Sequence, residues 1–211
     1  MENNSKSVDD IRAIRKLMEE SSRFLSLSGL SGVFAGLFAL AGAMAAYFLI
    51  LKNGTIHYDE YFRSMPAKET SMLRLQLMAD AAIVLILALA GSLHFSLKKA
   101  KREGKSLWTP VSKNMLLNMF VPLLTGGLFV IILLIQNHIQ LIVPGFLIFY
   151  GLSLVSAGKF TYGEVFYLGV LEIITGLISA FFPSQGLLFW IFGFGILHIV
   201  YGLVMYRKYE A

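Results

Sequence analysis

Six long, predominantly apolar stretches constrain this chain more than any other feature of its sequence. The first stretch, residues 28–50, is apolar throughout, and about 20 such residues let a helix cross a hydrocarbon core of ~30 Å. Five more follow, at about 73–97, 111–135, 141–157, 164–182 and 187–206. The pattern therefore predicts an all-α membrane protein with six transmembrane helices.

The composition supports a membrane location and argues against other classes of protein. Of the 211 residues, 56% are hydrophobic and 15% are charged, whereas about a quarter of the residues in soluble domains are charged. The net charge of +5 lies mostly beside the apolar stretches, where lysine and arginine set topology and contact anionic lipid. We therefore expect the lipid bilayer, and not nucleic acid, as a partner. The absence of cysteine excludes disulfides and thiolate metal sites, and we expect no metal or cofactor.

The distribution of basic residues predicts the topology. The loop 98–105 contains five lysines and arginines, and short loops of this kind remain in the cytoplasm. If both termini are cytoplasmic, fourteen of the 18 basic residues face the cytoplasm. We expect a multi-pass protein of the cytoplasmic (inner) membrane, with an amphipathic cytoplasmic segment at 1–26, a bundle at 27–206 and a short cytoplasmic tail at 207–211. A polar N-terminus without a secretory signal pattern predicts that the first span is retained.

Small residues at helical spacing predict close packing between helices. Ser28, Gly32 and Gly36 form one stripe along the first span, and such stripes let two backbones approach closely in lipid. We expect Gly32 and Gly36 to contact another helix of the same bundle, most simply the second span. Four glycines in later spans are further packing candidates, namely Gly126, Gly151, Gly176 and Gly202.

Short internal similarities predict a repeat of helical hairpins. Gly-x-Leu-His occurs at 91–94 and at 195–198, and Tyr-Gly occurs at 150–151 and at 201–202. The simplest arrangement is three antiparallel hairpins that pair spans 1 with 2, 3 with 4, and 5 with 6. Both termini are then on one side of the membrane.

Two segments resemble known membrane proteins. The region 169–209, with Gly176, Pro183 and Gly202, is similar to the hairpin unit of the acid-resistance six-helix membrane protein family. The motif SSRFLSLSGLSG at 21–32 resembles an N-terminal signature of an uncharacterised bacterial six-helix integral membrane protein family. These resemblances imply a six-helix topology and no particular activity.

Glu172 is the strongest candidate for a functional residue. It lies near the middle of the fifth span without a lysine or arginine within one helical turn. A charged side chain at the bilayer centre costs roughly 2.5 to 3.5 kcal/mol, so Glu172 must either hold a proton or face a polar partner. A proton or cation pathway and a structural hydrogen bond between helices both fit this pattern.

Other polar residues within the spans are weaker candidates. Asp80 in the second span is either a titrating group or a carboxylate hydrated near the interface. His94 and His198 occupy matching repeat positions, where they favour a proton relay with Glu172, an axial haem pair or structural hydrogen bonds. Asn114 and Asn118 share one face of the third span. We expect them either to line a route or to join helices through hydrogen bonds.

Two classes of function remain open from the sequence. The first is a small transport or channel-like protein for protons or small solutes, with Glu172, Asp80, His94 and His198 as titrating candidates. The second is a non-catalytic membrane scaffold or regulatory partner that docks a cytoplasmic protein or a second copy of the chain. No familiar hydrolase, metalloprotease or nucleotide-binding motif occurs, which makes an enzyme the less favoured class. Convergence of Glu172, Asp80 and His94 on one cavity would favour transport.

Overall fold

The computed structural model describes residues 24–51 and 67–211, and every regular element in these two ranges is helical. The predicted amphipathic segment lies mostly outside the described residues, as does most of the polar loop between the first two spans. Six described helices are long and apolar enough to cross a membrane, which confirms the prediction of an all-α protein with six candidate spans.

The first five spans are each built around one helix. They are α1 (Gly29–Ala45), which continues as a π-helical turn at Ala46–Ile50, then α2 (Ala67–Arg102), α3 (Pro110–Ile135), α4 (Ile142–Gly158) and α5 (Gly163–Phe181). The sixth span, Pro183–Tyr209, contains α6 (Gly186–Trp190), a π-helical segment (Ile191–Leu197) and α7 (His198–Tyr209).

Helix α2 extends beyond the apolar stretch that predicted it. The predicted span covered about 73–97, whereas α2 has 36 residues and includes the basic residues Lys99, Lys101 and Arg102 in its last turn. Lysine and arginine are good helix formers and interact favourably with a helix C-terminus. The helical backbone therefore continues into the polar flank.

Local sequence explains where α3 begins and ends. Thr109 and Ser112 form a capping box, in which Ser112 N donates to Thr109 Oγ1 at 3.1 Å and Thr109 N donates to Ser112 Oγ at 2.9 Å. Pro110 follows at the first helical position, where its missing N–H costs nothing. Beyond the C-terminal end, Asn137 adopts a left-handed backbone with φ 62°, a conformation that asparagine tolerates better than most residues.

The small-residue stripe of α1 packs against the sixth span. A Cβ added at Gly36 would lie 2.6 Å from the carbonyl oxygen of Gly195, and one at Gly32 would lie 3.1 Å from the Cα of Gly202. The expectation that Gly32 and Gly36 contact another helix of the bundle is therefore confirmed, whereas the choice of the second span as that helix is wrong. Gly42, six residues after Gly36, points to another side of α1 and faces α2 at Val84.

Helices α4 and α5 make the most extensive contact in the bundle. A Cβ added at Gly151 would lie 2.6 Å from Gly169 O, and one at Gly169 would lie 2.7 Å from Gly151 O. Gly176 packs against Ile148, whereas Gly126 of α3 packs against the ring of Phe149. The most extensive contact thus joins spans 4 and 5, and the division into three hairpins remains a prediction.

Candidate functional site

Glu172 lies in the interior of the bundle. Its side chain is 0% exposed, and α5 positions it on the face that also buries Leu168, Thr175 and Ser179. A Cβ added at Gly193 would lie 2.7 Å from Glu172 Oε2, so only glycine leaves room for the carboxylate there. The sixth span therefore closes over Glu172 through its smallest residue.

His198 is the ionisable neighbour of Glu172. Its Nδ1 lies 3.3 Å from Glu172 Oε1, within ion-pair distance. The two atoms are not aligned as a hydrogen bond, and neither carboxylate oxygen has another hydrogen-bond partner within 24–51 and 67–211. A fully buried, ionised carboxylate without a hydrogen bond carries a large desolvation cost. The pair is stabilised if the carboxylate is protonated or if the imidazole carries a second proton.

Tyr150 of α4 contacts the other side of the same imidazole. Its hydroxyl lies 2.9 Å from His198 Nε2, and the two rings stack with centroids 5.4 Å apart. His198 Nδ1 also lies 3.1 Å from the carbonyl oxygen of Gly193. We name Glu172, His198 and Tyr150 the buried triad, because one imidazole joins a carboxylate of α5 to a phenol of α4.

The π-helical segment before His198 allows this arrangement. In a π-helix each backbone hydrogen bond joins residues five apart instead of four, and such segments are frequent at functional sites. His198 turns back to Gly193, five residues earlier, which places the imidazole between α4 and α5. Gly193 and Gly195 are both buried in this segment, where side chains would collide with Glu172 and with Leu40.

The buried triad can hold and pass a proton. In a neutral imidazole one nitrogen donates and the other accepts. A neutral imidazole with its proton on Nδ1 donates to Gly193 O, and its Nε2 accepts from the Tyr150 hydroxyl. When the imidazole takes up a second proton at Nε2, the imidazolium can pass its Nδ1 proton to Glu172 Oε1, and the remaining neutral imidazole donates from Nε2 to the Tyr150 oxygen. Uptake of one proton by the triad therefore reverses the hydrogen bond at Tyr150.

The other predicted titrating residues lie elsewhere. Asp80 is half-buried on α2 and lines a separate apolar cavity. His94 is exposed on α2, where its ring meets Phe95 edge-on, so the structure does not bring His94 and His198 together. Glu172, Asp80 and His94 do not converge, whereas the predicted neighbourhood of Glu172 and His198 is present.

Asn114 and Asn118, predicted to line a route or to join helices, do not contact the interior of the bundle. Both are exposed on α3, and Asn118 Nδ2 donates to Asn114 O at 2.8 Å. Their spacing places them on one face, but spacing alone does not say which face turns inward. In this chain the inward face of α3 carries Met115, Gly126 and Val130.

A second polar cluster joins the two ends of the described chain. Lys99, 4% exposed, donates from Nζ to Leu27 O at 2.8 Å and lies 3.6 Å from Glu210 Oε1. Glu210 accepts hydrogen bonds from the Ser28 hydroxyl and from Gly29 N, where a carboxylate favours the positive end of α1. Ser28, predicted as a packing residue, thus also anchors the C-terminal residues.

Tyr162 in the turn between α4 and α5 completes this terminal cluster. Its hydroxyl donates to Leu25 O at 2.7 Å and accepts from Lys99 Nζ at 3.4 Å. Burial raises the pKa of Tyr162 to about 12, so the phenol stays a neutral donor at physiological pH. Lys99, Tyr162 and Glu210 therefore fix the segment that enters α1.

Sequence reasoning missed Tyr150 and the partner of Lys99. Tyr150 belongs to the Tyr-Gly pair that indicated a repeat, and its depth in an apolar helix was a signal that its hydroxyl needs a partner. Lys99 lay within a basic run that predicts a solvated loop, and only the tertiary contacts show its burial. No protein-family model, curated protein or solved structure matches this chain.

Proposed function

We propose that this chain is a small transport or channel-like membrane protein that moves protons or small solutes, with the buried triad as its proton-holding site. The observation that carries the proposal is the fully buried Glu172 carboxylate, 3.3 Å from His198 Nδ1. Intramembrane ionisable groups are costly and typically mark ion or proton pathways. His198 adds an imidazole, a side chain that can both accept and donate a proton.

The triad links proton position to helix packing. Tyr150 belongs to α4, Glu172 to α5 and His198 to the sixth span, and these elements pack through close glycine contacts. A proton that leaves Glu172 changes the charge between three helices. A charge in a low-dielectric interior interacts strongly with its surroundings. Protonation of Glu172 can therefore favour one of two packing arrangements of the sixth span over the other.

We also propose the cytoplasmic membrane as the location, with both termini in the cytoplasm. The exposed basic residues Lys98, Lys101, Arg102 and Lys105 lie at or beyond the end of α2, near the terminal cluster formed by Lys99. Lysine and arginine beside a span favour the cytoplasmic side. The resemblance to bacterial six-helix families supports this topology as part of the same proposal.

A second candidate function is a non-catalytic scaffold or regulatory partner. It is favoured by one observation, since Asp80, His94 and Asn114 lie apart from Glu172 instead of lining one route. The exposed basic residues at 98–105 would then dock an acidic cytoplasmic protein. In that case the buried triad serves only to hold helices together.

Proton flux into vesicles separates the two candidates. The purified protein is reconstituted, a potassium diffusion potential is imposed with valinomycin, and internal acidification is followed with a pH-sensitive dye. We expect the wild-type protein to exceed protein-free vesicles and Glu172→Gln to reduce flux to their level. Glu164→Gln is the same change on the same helix and should retain flux, because Glu164 lies away from the triad and pairs with Lys208 and Tyr209. Equal flux in wild-type and protein-free vesicles would overturn the transport proposal.

A further inference from the structure

A cavity beside α2 lies apart from the buried triad. Its volume is about 110 Å³, and its walls come from α1, α2, α4 and the sixth span, with Ala43, Asp80, Ala81, Phe146, Leu187 and Trp190 among the lining residues. Apolar cavities of ~150 Å³ hold a benzene-sized ring. The space beside α2 is somewhat smaller than that, so it admits only part of a small organic molecule.

Asp80 is the acidic residue that lines this cavity. It is half-buried, and no described residue donates a hydrogen bond to it or forms an ion pair with it. Gly42 brings α1 close to the carboxylate, since a Cβ there would lie 3.4 Å from Asp80 Oδ2. An ionised carboxylate against apolar walls favours a cationic partner.

Trp190 gives a second, independent indication of a cation. The indole lines the same cavity and meets the Phe146 ring edge-on, with centroids 6.2 Å apart. Tryptophan has the most favourable aromatic face for organic cations. Asp80 and Trp190 thus supply charge and aromatic surface to one space.

Arg74 lies at the outer part of the cavity without neutralising Asp80. Its Nη1 donates to Asn137 Oδ1 at 2.6 Å, which directs the guanidinium towards the turn after α3. Arg74 and Asp80 are six residues apart, or about 9 Å along the helix axis.

We propose that this cavity binds a lipophilic organic monocation, with its ammonium group at Asp80 and its apolar body against Phe146 and Trp190. This inference goes beyond the proposed function, because binding at Asp80 requires no proton movement at Glu172. The other lining residues are mostly apolar.

The fluorescence of Trp190 offers a direct test. The chain has two tryptophans, and Trp108 is 69% exposed, so Trp108→Phe leaves Trp190 as the sole reporter. The variant in nanodiscs of phosphatidylcholine and phosphatidylglycerol is titrated with decyltrimethylammonium, and decyl sulfate and decanol serve as the anionic and neutral probes. We expect saturable quenching by the cation alone.

Substitutions identify the site. Asp80→Asn removes the negative charge that attracts the quaternary ammonium and should raise the Kd about tenfold or more, whereas Asp80→Glu should retain binding. Val143→Phe, which fills the cavity and leaves its charge unchanged, tests the site if Asp80→Asn does not fold. Glu172→Gln should bind as the parent does, even if the proton-flux proposal fails.

Three results would overturn the proposal. The first is an unchanged Kd in Asp80→Asn or, if that variant does not fold, in Val143→Phe. The second is binding of decyl sulfate as tight as that of the cation. The third is loss of cation binding when phosphatidylethanolamine is added to the nanodiscs. The last result would assign the cavity to an amine headgroup of a bilayer lipid.

Discussion

The close contact between Gly36 and the sixth span leads to a quantitative prediction for Gly36→Ala. The new Cβ would lie 2.6 Å from Gly195 O, 2.7 Å from Ile199 Cγ1 and 3.0 Å from Ile199 N. Two of these three atoms belong to the backbone, so a rotamer change cannot relieve the collision. The helices must instead separate by roughly 0.5–1 Å, a gap that forfeits a quarter to a half of each dispersion contact across it.

We expect Gly36→Ala to lower the free energy of unfolding by about 1–3 kcal/mol, the usual cost of overpacking. Gly127→Ala on α3 is the matched control, because a Cβ at Gly127 meets no atom within 4 Å. Alanine is up to ~1 kcal/mol more favourable than glycine within a helix, so this control should be neutral or stabilising. Unfolding in detergent micelles by titration with sodium dodecyl sulfate, monitored by circular dichroism, measures both variants.

Equal stability of Gly36→Ala and the wild-type protein would refute the packing argument. The same conclusion would follow if Gly127→Ala were as destabilising as Gly36→Ala. In that case glycine at either position would matter through the helix backbone and not through contact with Gly195 and Ile199.

Three further substitutions test other contacts by the same unfolding measurement. Tyr150→Phe removes the hydroxyl next to His198 Nε2 and should cost about 1 kcal/mol; no loss would show that this hydrogen bond contributes nothing. Lys99→Met leaves Glu210 buried without its cation and should cost about 3 kcal/mol, and adding Glu210→Gln should recover part of that loss. Asn118→Leu changes an exposed side chain and should stay within about 0.5 kcal/mol of wild type, whereas a large loss would place Asn118 in an interface.

The sequence predicts the helices of this fold well because each apolar span satisfies its backbone hydrogen bonds internally. The length of a span therefore follows from its composition. For example, the apolar stretch at 111–135 predicts α3, which runs from Pro110 to Ile135. The end of α2 was less predictable, since charged residues that continue a helix resemble charged residues in a loop. Packing partners were less predictable still. The helix that Gly36 contacts depends on how all six spans pack together, and the sequence of α1 does not specify it.

The candidate site was predictable in part for a similar reason. Glu172 is an acidic residue in the middle of an apolar span, and this contrast is visible in the sequence. Its pairing with Tyr150 depends on the tertiary packing of α4 against the sixth span. His198 was recognised as a polar residue at depth, whereas its orientation depends on the π-helical segment at Ile191–Leu197, which widens the ladder without an obvious sequence signal.

The most direct test of the central claim is the proton occupancy of Glu172. Infrared difference spectra of the reconstituted protein, recorded between acidic and alkaline buffers in H₂O and D₂O, report the carbonyl stretch of protonated carboxyl groups. The account predicts a pH-dependent, deuterium-sensitive carboxyl band that is lost in Glu172→Gln and retained in Asp80→Asn. A spectrum in which Glu172→Gln matches the wild-type protein at every pH would contradict it.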